Sequence, residues 1–189
     1  MRWIVLSHRV TEQWLIFPGF EFVCPGNGWT SDVAAAAAGL PCRQSVVVTR
    51  GREPDPVESV AIWSMTLPPE FRGLDPDECA TAYFEAEREA PRMPGKLWSG
   101  FVAEDRLIDG RRFPTMRFDL TDEPGSLPPF PPVSGVFVVC FPTDFRQKPR
   151  FSVLMFQVDR WSTLDGDGLD GLVDTVVASF VEYPSGAGV

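Results

Sequence analysis

Leu169, Leu172, Val173, Val176, Val177, Phe180 and Val181 recur at the three- and four-residue spacings of one helical face, which predicts an amphipathic helix with a continuous apolar stripe near the carboxyl end. Such a stripe has to be buried against a second layer. Two β-prone runs precede it, Val136 to Phe141 and Phe151 to Val158, and they nominate an antiparallel sheet as the receiving surface. Each side chain of this size withdrawn from water contributes about 1.5–3 kcal/mol gross, so helix-on-sheet docking constrains the fold more than any other feature of the chain.

The remaining elements follow from local signals. Trp14 to Cys24 is rich in aromatic and β-branched residues and predicts a strand bent at Pro18-Gly19, with Trp3 to Leu6 as a pairing partner. Ser31 or Asp32 is expected to cap a short helix through the alanine run that Gly39 and Pro41 end. Ser45 to Arg50 and Glu58 to Leu67 read as two strands around a turn at Gly51 to Pro56. Asp75, Pro76 and Glu78 supply an N-cap, a first-turn proline and a capping-box acid for a helix from Pro76 to Ala90. Its inner face is expected to carry Cys79, Ala82, Tyr83 and Ala86, with Glu78, Glu85, Arg88 and Glu89 outward.

Leu97 to Ala103 and Phe113 to Leu120 form a hairpin around the Asp109-Gly110 turn signal, with Pro114 expected to push the second strand to an edge or toward its own start. Asp122 to Gly135 holds four prolines between Pro128 and Pro132 and is expected to be a stiff, extended excursion. Together these elements predict a single α+β domain over residues 1–189, a mostly antiparallel twisted sheet covered by two main helices.

Charge and composition narrow the function classes. Acidic residues outnumber basic ones 26 to 17, for a net charge of −9, which disfavours nucleic acid and anionic lipid as partners. Arg106, Arg111, Arg112 and Arg117, and separately Arg146, Lys148 and Arg150, are expected to be solvated hairpin rims. The longest apolar stretch, Val33 to Leu40, is far short of the roughly 20 residues a membrane span needs, and residues 1–9 are too brief for a signal peptide's apolar segment. A cytoplasmic location is the resulting expectation. Cys24, Cys42, Cys79 and Cys140 include no C-x-x-C pair and are expected to be buried, reduced thiols.

Three motifs invite chemistry and fail on their details. Gly166, Gly168 and Gly171 spell G-x-G-x-x-G, but Asp165, Asp167 and Asp170 would set negative charge where a pyrophosphate sits; helix capping explains them better. A calcium loop from Asp165 would need glycine at Asp170 and glutamate at Val176. His8 is the one histidine and has no identifiable partner, and Glu85 with Glu89 read as a solvated ridge. No catalytic set, metal or cofactor is expected.

The strand leading into Pro25-Gly26-Asn27-Gly28-Trp29, the middle helix, the hairpin series and a closing helix with Val177-Ala178-Ser179-Phe180 together resemble the Mog1/PsbP-like fold, which includes bacterial DcrB-like proteins. Members act mainly as non-catalytic partners, among them chaperone-like or immunity-like proteins of type VI secretion. The resemblance therefore implies a non-enzymatic accessory protein with a protein partner, and it carries over no functional residue. Aromatics expected to be exposed for such contact are Phe130, held between prolines, and Trp98 and Phe101 on the hairpin. A homodimer that buries an apolar groove fits the same reading. The alternative is a lipid-like small-molecule binder or hydrolase with an aromatic pocket between sheet and helix.

Overall fold

The computed structural model describes residues 12–17, 19–32, 42–51, 58–89, 96–125, 132–143, 145–146, 150–159 and 168–183. The expected strand at Trp3 to Leu6, the alanine-run helix, His8, Phe130 and the aspartates 165 and 167 lie outside the described residues. Two antiparallel sheets form. The large one holds β3 (Thr30–Asp32), β4 (Cys42–Arg50), β5 (Glu58–Thr66), β6 (Lys96–Ile108), β7 (Arg111–Asp122), β8 (Val133–Cys140) and β9 (Arg150–Asp159) in the order β3-β4-β5-β9-β8-β7-β6. The small one holds β1 (Glu12–Phe17), β2 (Phe20–Pro25) and β10 (Val181–Glu182) in the order β1-β2-β10.

The closing helix, α2 (Gly168–Ser179), docks on the large sheet as its stripe requires. Leu172, Val173, Val176 and Val177 pack with Val136, Val138, Leu154 and Phe156 of the large sheet and with Phe20 and Phe22 of the small one. The stripe therefore meets two sheets. It also ends earlier than its periodicity suggests, because the chain leaves the helix after Ser179. Val181 is 45% exposed and pairs with Glu21 of β2, and the Tyr183 amide donates to Gly19 O at 2.7 Å. Backbone pairing to β2 outweighs the remaining turn of helix.

The opposite face of the large sheet receives the middle helix, α1 (Pro76–Glu89). Its capping box forms reciprocally: the Glu78 amide donates to Asp75 Oδ1 and the Asp75 amide to Glu78 Oε2, each at 2.9 Å. The inner face is rotated from expectation. Cys79, Ala80, Tyr83 and Phe84 are buried while Ala82 is only partly buried and Ala86 is exposed, because burying the Phe84 ring withdraws more apolar surface than burying two alanines. These side chains meet Met116, Phe118, Phe137, Val139, Phe151 and Val153. With both faces covered, β8 and β9 lose the usual inside-outside alternation and read as unbroken apolar runs.

Two other expectations are corrected. Trp14 to Cys24 is a hairpin and not one bent strand: Phe17 pairs with Phe20, and Gly19 takes the φ of 92° that the reversal needs. The second strand of the later hairpin, β7, is internal and not an edge, and Pro114 lies toward its start as the other expected placement had it, just before the segment from Thr115 to Leu120 that pairs with β8, so it removes no donor from that ladder. The proline excursion is also shorter than its composition suggests, since Asp122 completes β7 and Val133 opens β8. No described helix is long and apolar enough to cross a membrane.

Candidate functional site

The two patches that carry the family resemblance are joints of the fold. Trp29 Nε1 donates to Pro25 O at 2.8 Å, while Gln13 brackets the Trp29 backbone, accepting from its amide and donating to its carbonyl at 2.9 Å each. The Arg50 guanidinium lies 5.3 Å from the Trp29 ring centroid and pairs with the buried Glu58. At the other patch, Ser179 Oγ accepts from the Val23 amide at 2.9 Å and donates to Thr175 O at 2.7 Å, and the Phe180 ring packs 6.1 Å from Phe20. Both patches hold the small sheet in place.

Arg111 and Arg112 are exposed, as a hairpin rim should be, but Arg106, Arg112 and Arg117 also act as clamps. Arg106 reaches Asp170 at 2.6 Å and Asp174 at 2.7 Å on α2, and Arg117 joins Asp170 to Glu104. From the opposite face of the same hairpin, Arg112 binds Asp77 of α1 at 2.9 Å and Asp105 at 2.8 Å. Hydrogen bonding from Arg106, joined by that from Arg117, holds the Asp170 carboxyl below its ordinary range. A carboxylate shared by two guanidiniums serves neither calcium nor a nucleotide. Arg150 is likewise buried, 3.6 Å from Glu182, whose carboxylate accepts hydrogen bonds from Ser64 and Ser152.

Cys24, Cys79 and Cys140 are buried free thiols, as expected; the side chain of Cys42 lies outside the described set. Burial pushes Cys140 up to about 12 and Cys24 higher still, with Arg111 and Arg50 opposing only in part. Thiols held protonated in this way are poor nucleophiles and poor metal ligands at neutral pH. Among the described residues no group of three or more His, Cys, Asp and Glu side chains is arranged to hold a metal ion.

The hairpin aromatics turn inward. Trp98 lies 4.7 Å from Phe118 and 6.5 Å from Phe137 between ring centroids, and Phe101 packs on the same cluster, so both are half-buried where exposure was expected. Exposure falls on their neighbours: Leu97 at 49%, Val102 at 53% and Leu107 at 73%. All three stand on β6, which runs for 13 residues along the edge of the large sheet, with β7 on one side and no described strand on the other. A bulge between Ser99 and Val102, with Gly100 at φ 66°, interrupts its pairing with β7. The positive φ favours glycine there, and a Cβ at Gly100 would stand 2.8 Å from Asp119 Oδ2, which that carboxylate would have to move to admit.

Leu107 lies beyond the strand end expected at Ala103. The signal that finds it is the Asp109-Gly110 turn, whose φ values of 48° and 73° allow the two strands to pair right up to the reversal. Beside β6, on the α1 face, Asp77, Thr81 and Phe84 of α1 and Ala103, Asp105, Arg112 and Pro114 of the hairpin line a groove of about 220 Å³. The space between α2 and the sheet is filled by the fully buried Phe20, Phe22, Phe156 and Leu172, so the groove beside α1 is where a space between sheet and helix remains.

Two antiparallel sheets, with α2 between them and α1 on the far face, define an α+β protein in which, among the described residues, β6 forms one edge of the large sheet. No family model matches the chain, and no curated protein does either. The solution structure of cyanobacterial PsbP (CyanoP) from Synechocystis sp. PCC 6803 is similar to it, with a TM-score of 0.56 and 19% identity over 93% of this chain and 95% of that one. The fold is PsbP-like, as the resemblance implied; at this identity the likeness concerns the fold alone.

Proposed function

We propose that this is a non-enzymatic accessory protein that binds a protein partner along the outer side of β6. The observation that carries the reading is the set of exposed apolar side chains on that strand, Leu97, Val102 and Leu107, the last at 73%. Apolar residues left in water on a long edge strand invite aggregation unless they serve contact, and edges without such use are normally short, charged or covered. Trp98 and Phe101 contribute from beneath by stiffening the strand, and Phe130 belongs to the segment joining β7 to β8. A chaperone-like or immunity-like role in bacterial type VI secretion, from the cytoplasm, is the setting that the Mog1/PsbP-like and DcrB-like resemblance suggests.

A photo-crosslinking residue at position 107 tests the reading in cells. The expected result is one discrete protein adduct, lost when Val102→Glu is added and not reproduced from position 14, where Trp14 is exposed on the small sheet instead. Adducts of equal pattern from both positions, or an adduct indifferent to Val102→Glu, overturn it.

A further inference from the structure

We infer that the partner docks by strand addition on β6, and that its strand alternates apolar with basic residues and belongs to a different protein and not to a second copy of this chain. The inference rests on the binding reading above and adds the mode and the chemistry of the ligand. Three observations on the hairpin carry it.

The first is geometric. An added strand would lie about 4.8 Å outside β6 and find backbone donors and acceptors along its length, which is how edge strands capture extended peptides. Cross-strand pairing sets Val102 opposite Arg117, which reaches α2, and Leu107 opposite Arg112, which reaches α1, so the exposed apolar residues stand on both faces of the sheet. A partner strand that alternates apolar with basic residues sets its apolar side chains beside Val102 on the α2 face and its basic ones on the α1 face, beside Asp77 and Asp105.

The second is charge. Arg106 and Arg117 together serve Asp170, Asp174 and Glu104, and Arg112 serves both Asp77 and Asp105, so these ion pairs hold more carboxylates than guanidiniums on either side of the strand. The groove beside Ala103 and Asp105 adds Phe84 and Pro114 as an apolar floor, a surface that accepts the stem of a lysine or arginine while its head meets the acids. Basic residues in the added strand therefore gain, and acidic ones are repelled.

The third weighs against self-pairing over the charged part of the strand. β6 carries Glu104, Asp105 and Arg106 in succession, and two-fold antiparallel registers centred on Glu104 or Arg106 set like charges directly opposite each other. Such edge charges discourage association between copies while leaving a complementary strand free to add.

The test uses the full chain and three nine-residue peptides that alternate valine with lysine, with glutamine or with glutamate. Binding is followed by fluorescence anisotropy and by amide hydrogen exchange over residues 96–108. The lysine peptide should slow exchange in β6 and bind at least about threefold more tightly than the glutamine peptide, the advantage shrinking as salt is raised. Leu107→Lys, at a site open enough to leave folding intact, should weaken the lysine peptide most. Equal affinity for the lysine and glutamine peptides, with β6 still protected, overturns the charge assignment alone. Protection of β6 by no peptide, together with an unchanged position-107 adduct in cells, overturns strand addition while the binding reading stands. Concentration-dependent protection of β6 without peptide shows that a second copy is the occupant and overturns the inference.

Discussion

On the face of the large sheet that meets α2, Val48, Val60, Ile62, Val138, Leu154 and Phe156 are fully shielded from water; on the face that meets α1, Met116, Phe151 and Val153 are as deeply buried, but Trp63, Met65, Trp98, Phe101 and Met155 remain half-buried. The first face is covered twice, by a helix and by the β1-β2 hairpin. The second has α1 and the short turn Pro69–Phe71. The contrast separates two tasks within one sheet. The α2 face supplies the closed core that sets stability, and the α1 face keeps surface within reach of the β6 edge where contact is proposed.

If that division is right, truncation should be far costlier on the closed face. Leu172→Ala removes a fully buried side chain among Phe20, Phe22 and Leu154 and should cost about 3–4 kcal/mol in urea unfolding, whereas Met155→Ala, half-buried opposite, should cost under about half of that. Similar losses at the two positions would erase the distinction. A smaller but sharper effect is expected at Gly135, which pairs with Phe118 on the α1 face: a Cβ there would fall 2.1 Å from Phe118 Cζ. Gly135→Ala should therefore cost about 2–3 kcal/mol, and Phe118→Leu in the same chain should recover part of the loss, a coupling that a double-mutant cycle reads directly.

The smallest effect concerns the clamp that ties the hairpin to α2. Because hydrogen bonds from Arg106 and Arg117 lower the folded carboxyl of Asp170 below its unfolded value, its contribution is complete at neutral pH and lost as pH falls through the acid range below about 4. Asp170→Asn should cost under about 1 kcal/mol at pH 7, since the side chain is 58% exposed and screened by solvent, and progressively less as pH falls below about 4. A gap that does not shrink as pH falls would mean that the aspartate acts through the helix terminus and not through the arginines.

Much of the architecture was legible because it is local. The stripe from Leu169 to Val177, the Asp75–Glu78 capping box and the Asp109-Gly110 turn each specify their element within a few residues, and each stands where expected. The candidate site was harder to read. Pro114 on the partner strand points to Trp98 and Phe101 as exposed, but the bulge at Gly100 allows both rings onto the cluster of Phe118 and Phe137 and leaves the smaller Leu97 and Val102 outside. No short-range pattern distinguishes these outcomes.

The amino-acid order by itself determined which segments are helix and which are strand, since periodicity, caps and turn residues act over distances of one or two turns of backbone. Only the tertiary structure decided that α2 would be shared between two sheets, that Val181 would leave the helix to pair with β2, and that the hairpin arginines would spend their charge on both helices. Those outcomes depend on which distant surfaces compete for the same apolar face and the same hydrogen bonds, a competition settled by the packing of the whole chain and carried by no single stretch of it.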